Sequence, residues 1–105
     1  MFGVLKELFG IGPKVDYADL MNRKAQIIDV RSPGEYASGH IKGSINIPLD
    51  SLGKHLSKIK KDSPVITCCA SGARSASAKR LLMSQGFAEV HNGGGWAGLQ
   101  SKINR

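Results

Sequence analysis

Two short apolar runs, QIIDV at residues 26–30 and VITC at residues 65–68, place the strongest constraint on the fold of this chain. Their apolar residues are consecutive rather than alternate, which is typical of strands buried on both faces of a parallel sheet. SINIP, which stops at Pro48, and EVH, at residues 89–91, are predicted as two further strands. Because helical patterns alternate with these strands, the sequence predicts an α/β fold with a parallel sheet covered by helices.

The helical patterns between the strands are amphipathic. One helix is predicted over residues 75–85, with Gly86 as a left-handed cap against which Phe87 packs back. Another is predicted to begin at Asp50 or Ser51, and a shorter one is capped by Asp16. The expected inward-facing residues of these helices are Ala78, Leu81 and Leu82 in the first, Leu52, Leu56 and Ile59 in the second, and Leu20 and Met21 in the third.

The length of 105 residues suits one domain with a single modest core. We expect an N-terminal amphipathic helix over residues 1–12 and a single domain over residues 13–105. The net charge of +7 would suit nucleic acid, an anionic membrane surface or a small anionic substrate. Aromatic residues are not interleaved with the basic ones, and no nucleic-acid motif is present, so we expect no nucleic-acid partner. The lysine cluster at Lys54, Lys58, Lys60 and Lys61 is interpreted as a solvated helix face.

No apolar run approaches the length of a membrane-spanning helix, so we expect no integral membrane segment. The N-terminus also lacks the charged leader of a secretory signal, and we predict a cytoplasmic protein whose thiols stay reduced. Adjacent cysteines rarely form a disulfide because the ring is strained, and two cysteines without further ligands do not make a zinc site. Cys68 and Cys69 are therefore predicted to be free thiols, and no metal or organic cofactor is expected.

Cys69 lies at the expected carboxyl end of a strand, where α/β folds bind ligands. The loop that follows it, CASGAR at residues 69–74, has small side chains that let several backbone N–H groups converge on an anion. The next helix adds its positive end and Arg74 adds a full charge. These groups favour the thiolate and lower the thiol pKa from about 8.5, so the pattern predicts a cysteine nucleophile beside an anion site.

Strand geometry separates the roles of the two cysteines, because neighbouring side chains in a strand point to opposite faces. If Cys69 faces the loop, Cys68 points into the core and acts as a small apolar residue.

A cysteine followed at the fifth position by an arginine is a weak motif alone. Together with IIDVRSPGEYASGHIKGSINIP and CASGARSASAKRLLMSQGF, however, it resembles the rhodanese family over residues 15–99. The resemblance implies the rhodanese fold, with five parallel strands between helices. It also implies a thiosulfate sulfurtransferase, with Cys69 as the sulfur-carrying nucleophile. The persulfide would be held by the substrate-binding residues Ala70, Ser71, Gly72, Ala73, Arg74 and Ser75.

The chain departs from the family pattern in two places. Trp96 follows Gly94 and Gly95 immediately instead of after three further residues, and Ala70 stands where some thiosulfate-using members carry a basic residue.

Other residues of the motif are interpreted as scaffold. Asp29 and Arg31 are expected to form an ion pair or hydrogen bonds around the strand end, His40 to bond the backbone, and Glu35 to support the same turn. Asn92 and the glycines after it could approach the site, because glycine allows close backbone passage.

Three functions remain open from the sequence. The favoured one moves a sulfur atom from thiosulfate or a similar small anionic donor to cyanide or a thiol. A second is a persulfide carrier or interaction module that works with a protein sulfur acceptor and has no turnover of its own. The third, a cysteine phosphatase or arsenate reductase, is distant, because relatives of that kind on this fold have one more residue in the loop.

Overall fold

The computed structural model describes residues 14–104, and the predicted N-terminal helix at residues 1–12 lies outside them. The helices are α1 (Tyr17–Asn22), α2 (Pro33–Ala37), α3 (Ala73–Ser84) and α4 (Trp96–Ile103), and the strands are β1 (Gln26–Asp29), β2 (Ile45–Asn46), β3 (Val65–Cys69) and β4 (Val90–Gly95). Two short 3₁₀ segments, Leu49–Lys54 and Leu56–Lys58, lie between β2 and β3. None of the described helices is long and apolar enough to cross a membrane.

The strands form one parallel sheet in the order β2-β1-β3-β4, which confirms the α/β prediction. Each of the four strands overlaps one of the runs that the sequence analysis predicts as a strand. The fifth strand implied by the family resemblance is absent from residues 14–104, and that prediction is wrong for this part of the chain. Val15, ahead of α1, is 40% exposed and lies outside any strand, while the segments between the four strands form helices, 3₁₀ segments and turns.

Each face of the sheet buries its own core, because the side chains of a strand alternate between the two faces. The core under α3 and the 3₁₀ segments contains Ile28, Val30, Ile47, Leu52, Ile59, Val65, Cys69, Ala78, Leu82, Phe87 and Val90. The core under α1 and α4 contains Leu20, Ala25, Ile27, Ile41, Ile66, Cys68 and Leu99. The two cysteines of β3 therefore face different cores.

Most predicted element ends are close to the observed ones. Asp16 caps α1 by accepting a hydrogen bond from the Asp19 N–H at 2.9 Å, and Gly86 adopts a left-handed φ of 93° after α3. The helix predicted from Asp50 or Ser51 is instead a pair of 3₁₀ segments, and Leu52 in the first segment and Ile59 just after the second are still buried. A glycine inside the segment, Gly53, disfavours a continuous α-helix.

Candidate active site

The sheet brings the carboxyl ends of its strands to one edge, and Cys69 stands there at the end of a central strand. The loop after it leads to Gly72, whose φ of 106° is left-handed and which precedes the first residue of α3. This conformation turns the backbone N–H groups of the loop back toward the cysteine. The Gly72 N–H donates to Cys69 Sγ at 2.9 Å, and the Ser75 N–H donates at 3.4 Å.

These contacts favour the charged form of the sulfur. Burial is the largest influence and raises the pKa of Cys69, but hydrogen bonds from the Ser75 side chain and from the backbone of Ser75, Gly72 and Ser71 outweigh it. The pKa of Cys69 therefore lies below its ordinary value. The positive end of α3, a helix of twelve residues, acts in the same direction.

Ser75 in α3 and Asn92 in β4 hold the loop in place. The Ser75 hydroxyl lies 3.4 Å from Cys69 Sγ and 2.6 Å from Asn92 Oδ1. Asn92 Oδ1 also accepts the Gly94 N–H at 2.9 Å, and the Asn92 carbonyl accepts the Tyr17 hydroxyl at 3.1 Å. From the sequence, only the glycines that follow Asn92 indicate that this residue could approach the site. The hydrogen bond from Ser75 to Asn92 forms because β4 lies beside β3.

The glycines of β4 allow it to pass against the loop. The pairing of β3 with β4 shifts between Thr67 and Cys69, so that Gly95 lies opposite Cys69. A Cβ atom on Gly95 would stand 2.8 Å from the carbonyl oxygen of Ala70, and one on Gly93 would stand 2.9 Å from that of Thr67. The close passage that the sequence suggested is present.

Arg74 connects the loop to α2. Its guanidinium donates two hydrogen bonds to the Glu35 carboxylate, at 2.7 and 2.9 Å. Glu35 also completes the capping box of α2 with Ser32, so it supports the turn as predicted and has a further role that the sequence did not reveal. The spacing of residues within one loop could not show this partner, which lies 39 residues away in the sequence.

The remaining loop residues, Ala70, Ser71 and Ala73, are exposed. Their small side chains surround a cysteine that is itself 1% exposed.

Asp29 and Arg31 form the expected ion pair, buried beneath the strand ends, with Arg31 Nη2 2.7 Å from Asp29 Oδ2. Arg31 also donates to the carbonyl oxygens of Gly39 and Glu35, at 2.7 and 3.2 Å, and lies 4.8 Å from the ring centroid of Trp96. This network joins β1 to the loop that follows α2, which agrees with a scaffold role.

His40 also behaves as scaffold. Its Nδ1 lies 2.8 Å from the Tyr36 carbonyl oxygen, and its ring stacks on that of Tyr36 at 3.7 Å between centroids.

Cys68 shares neither the loop nor the hydrogen bonds of Cys69. It is fully buried, and burial, followed by the negative charge of Asp29, raises its pKa to about 12. The prediction that Cys68 is a core residue is confirmed.

Fold and site together define an α/β domain that holds one cysteine thiol among backbone amides at the carboxyl edge of a parallel sheet. Residues 14–102 match the family model of the rhodanese-like domain. The chain belongs to the rhodanese-like domain family.

Several relatives are named as sulfurtransferases. The thiosulfate sulfurtransferase GlpE of Stutzerimonas stutzeri is 38% identical over 70% of this chain and 67% of its own length. A sulfurtransferase of Allochromatium vinosum is 37% identical over 75% of this chain and 78% of its own. The uncharacterized protein YqhL of Bacillus subtilis is 44% identical over 67% of this chain, which spans only 56% of that relative.

Solved structures show the same fold. One described as rhodanese with anions from E. coli has a TM-score of 0.67 and 34% identity, covering 70% of this chain and 89% of that one. Reduced Bacillus anthracis CoADR-RHD has a TM-score of 0.74 and 32% identity, covering 97% of this chain but 19% of the longer one.

Proposed function

We propose that this protein is a sulfurtransferase that moves a sulfane sulfur from thiosulfate or a similar donor to a thiophilic acceptor through a persulfide on Cys69. The observation that carries the proposal is the set of hydrogen bonds at Cys69 Sγ, in which the N–H groups of Gly72 and Ser75 point at the sulfur. Donors arranged in this way stabilise a sulfur that is negatively charged before and after the transfer.

In the first step the Cys69 thiolate attacks the outer sulfur of the donor. A bond forms between Cys69 Sγ and that sulfur, the sulfur–sulfur bond of the donor breaks, and the electron pair leaves with sulfite when the donor is thiosulfate. The outer sulfur then lies farther from the strand end than Sγ, toward the loop residues from Ala70 to Ala73. Their backbone amides would cradle it.

In the second step cyanide or a thiolate attacks the outer sulfur and restores the Cys69 thiolate. The low pKa of Cys69 assists here, because a stable thiolate is a better leaving group. The step needs no other group of the protein to change its charge.

The test is to incubate the pure protein with thiosulfate and cyanide and to follow thiocyanate. We expect turnover with wild-type protein, none with Cys69→Ser, and one added sulfur atom on Cys69 by intact mass when cyanide is omitted. Aryl phosphates should be inert. If the protein hydrolyses aryl phosphates faster than it transfers sulfur, this proposal is wrong and the cysteine phosphatase considered in the sequence analysis takes its place.

A persulfide carrier is the second candidate. The observation that favours it is the Bacillus anthracis structure, in which the matching region makes up 19% of a longer chain. A carrier would load one sulfur from the donor and release little thiocyanate. Loading without turnover would therefore favour the carrier over the free-standing enzyme.

A further inference from the structure

The Ser75 hydroxyl has one proton and three neighbouring atoms that could accept it. Its Oγ lies 2.6 Å from Asn92 Oδ1, 3.0 Å from the Gly72 carbonyl oxygen and 3.4 Å from Cys69 Sγ. A hydroxyl donates to one acceptor at a time, while its two lone pairs can accept. Ser75 is fully buried, so water does not supply a further partner. The surrounding protein atoms therefore decide the direction of this one O–H bond.

The side-chain amide of Asn92 faces the hydroxyl with its oxygen. The Gly94 N–H, which can only donate, lies 2.9 Å from the same amide atom, so this atom is the oxygen and not the nitrogen. The Asn92 nitrogen instead lies 3.4 Å from the Gly72 carbonyl oxygen. Because the contact from Ser75 to Asn92 is the shortest of the three, the hydroxyl donates to Asn92 while Cys69 is a thiol. Its lone pairs then face Sγ.

A charge on Cys69 Sγ changes which acceptor is the strongest. A hydrogen bond to a charged acceptor is about twice as strong as one between neutral groups, so the thiolate draws the Ser75 proton away from the neutral amide. Asn92 Oδ1 keeps the Gly94 N–H when the hydroxyl turns, and it is not left without a donor. Burial raises the pKa of Cys69, and the next largest influence, the Ser75 side chain, lowers it. The movement is a rotation about one C–O bond.

We propose that Asn92 is a positioning residue, which holds the Ser75 proton while Cys69 Sγ is neutral and releases it when that sulfur becomes charged. The inference rests on the proposed function, in which Sγ is neutral within the persulfide and charged as the free thiolate. In the second step the acceptor forms a bond to the outer sulfur, the bond between that sulfur and Sγ breaks, and the electron pair stays on Sγ. The Ser75 O–H then turns from Asn92 to Sγ, and its proton remains on Ser75 throughout.

The other titratable groups around the site are engaged elsewhere. Most are held in pairs, which are Arg74–Glu35 between α3 and α2, Asp29–Arg31 at the end of β1, and His91–Glu89 at the start of β4. Burial, followed by Asp29, raises the pKa of Cys68 to about 12. Burial also raises the pKa of Tyr17, whose hydroxyl donates to the Asn92 carbonyl. Apart from Cys69, no titratable side chain within residues 14–104 bonds the Ser75 hydroxyl or the Asn92 amide.

Alkylation of Cys69 by iodoacetamide at a series of pH values, mapped by peptide mass, tests the inference without a sulfur donor. Asn92→Ala removes the acceptor that holds the proton at rest. The hydroxyl then donates more readily to the thiolate, and the midpoint of the profile should fall by about 0.4–1 pH unit, the size of one hydrogen bond. Asn92→Asp should raise the midpoint by about 1 pH unit or more, because a carboxylate holds the Ser75 proton more firmly and adds a negative charge.

The same substitutions in a Ser75→Ala background separate positioning from a loosened loop. Without the hydroxyl, Asn92→Ala should no longer lower the midpoint, and the shift that remains for Asn92→Asp measures its charge alone. A purely structural role predicts equal shifts in both backgrounds, because loss of the Gly94 contact would disturb the loop with or without the hydroxyl. Asn22→Ala, at an exposed residue of α1, is the control and should not move the profile. Thermal melts check that each variant folds.

Release of sulfur from a preloaded protein tests the hydroxyl in the second step. Cys69 is loaded once from thiosulfate, the excess donor is removed, and transfer to cyanide is timed in a single turnover. Ser75→Ala and Asn92→Asp should each slow the release about threefold to tenfold, since in both variants the leaving sulfur lacks the hydroxyl proton. Asn92→Ala should not slow it. Wild-type rates in both Ser75→Ala and Asn92→Asp would overturn the role of the hydroxyl in this step.

The failure of this inference can be told from that of the proposed function. If thiosulfate neither loads Cys69 nor gives thiocyanate, the proposed function is wrong and the role of the hydroxyl in the second step falls with it. The alkylation profiles still decide where the Ser75 proton lies. If Asn92→Ala raises the midpoint, or shifts it equally with and without the Ser75 hydroxyl, the positioning role of Asn92 is overturned whether or not Cys69 carries sulfur.

Discussion

Cys68 and Cys69 are neighbours in the chain, yet their thiols lie in different cores on opposite faces of the sheet. Cys68 packs with Ile66 and Leu99, whereas Cys69 packs with Val30 on the side of α3. Exposure does not distinguish them, since they are 0% and 1% exposed. The difference in their chemistry comes from the hydrogen bonds that favour the Cys69 thiolate and from the burial and the negative charge of Asp29 that raise the pKa of Cys68.

Substitution of each cysteine should separate chemistry from packing. Cys69→Ser should abolish sulfur loading while leaving the fold intact. Cys68→Ala should retain loading and lose about 1 kcal/mol of stability, as expected for a small deletion in a packed core. Intact mass after donor treatment and urea unfolding check both outcomes. If Cys69→Ser still loads sulfur, or if loading is lost only in Cys68→Ala, the assignment of the chemistry to Cys69 is wrong.

The pH dependence of alkylation should differ between the two thiols. Because the pKa of Cys69 is lowered in the folded protein, its reaction with iodoacetamide should begin at a lower pH than that of the same residue in urea. Cys68, with a pKa of about 12, should stay unmodified up to mildly alkaline pH. Peptide mapping by mass measures each site. Equal rates for both cysteines in the folded protein would contradict the assigned environments.

Ser75→Ala should weaken the site without removing it. The variant keeps the Ser75 N–H but loses the hydroxyl that lies near both Cys69 Sγ and Asn92 Oδ1. The pKa of Cys69 should therefore rise, and loading near neutral pH should slow because less thiolate is present. A pH profile of loading distinguishes this effect from simple instability, since the profile should move to higher pH. Ser77→Ala, in the same helix but partly exposed, is the control.

Two glycine substitutions should have opposite effects on stability. Gly95→Ala places a Cβ atom 2.8 Å from the Ala70 carbonyl oxygen, so either β4 or the loop must move, and we expect a loss of about 1–3 kcal/mol together with slower loading. Gly98→Ala lies in α4 with open space around the new methyl group and should stabilise by about 0.5–1 kcal/mol. Urea unfolding measures both. A neutral Gly95→Ala would show that the close contact is not required.

Glu89 should contribute to stability in a defined pH range. Its pKa is lowered to about 2, first by the hydrogen bonds from Arg23 and then by His91. A carboxylate whose pKa falls on folding stabilises the protein above its unfolded pKa, and this contribution is lost as the pH drops toward the folded value. Glu89→Gln should therefore reduce the loss of stability between about pH 4.5 and about pH 2. Asp62→Asn, at an exposed carboxylate without an ion pair in the described residues, should leave that loss unchanged.

Local sequence determined the elements and the position of the reactive sulfur. The apolar runs of β1 and β3 indicate buried strands, and the spacing from Cys69 through Gly72 to the start of α3 predicts a loop whose amides face the sulfur. Such features depend on residues a few positions apart. Backbone geometry therefore relates them directly, and the separate environments of Cys68 and Cys69 follow from the alternation of a strand.

Only the tertiary structure decided which distant groups act on that loop. Arg74 was predicted to charge the anion site, yet the packing of α2 beside the loop brings Glu35 to it. Asn92 accepts a hydrogen bond from Ser75 because β4 pairs with β3. Gly93 and Gly95 allow the backbone of β4 to pass close to that of β3 and the loop. A charged or amide side chain can bond many partners with similar energy, so its residue type does not select one. Strand order and helix packing bring one partner within reach, and here they bring the carboxylate of Glu35 to the guanidinium of Arg74.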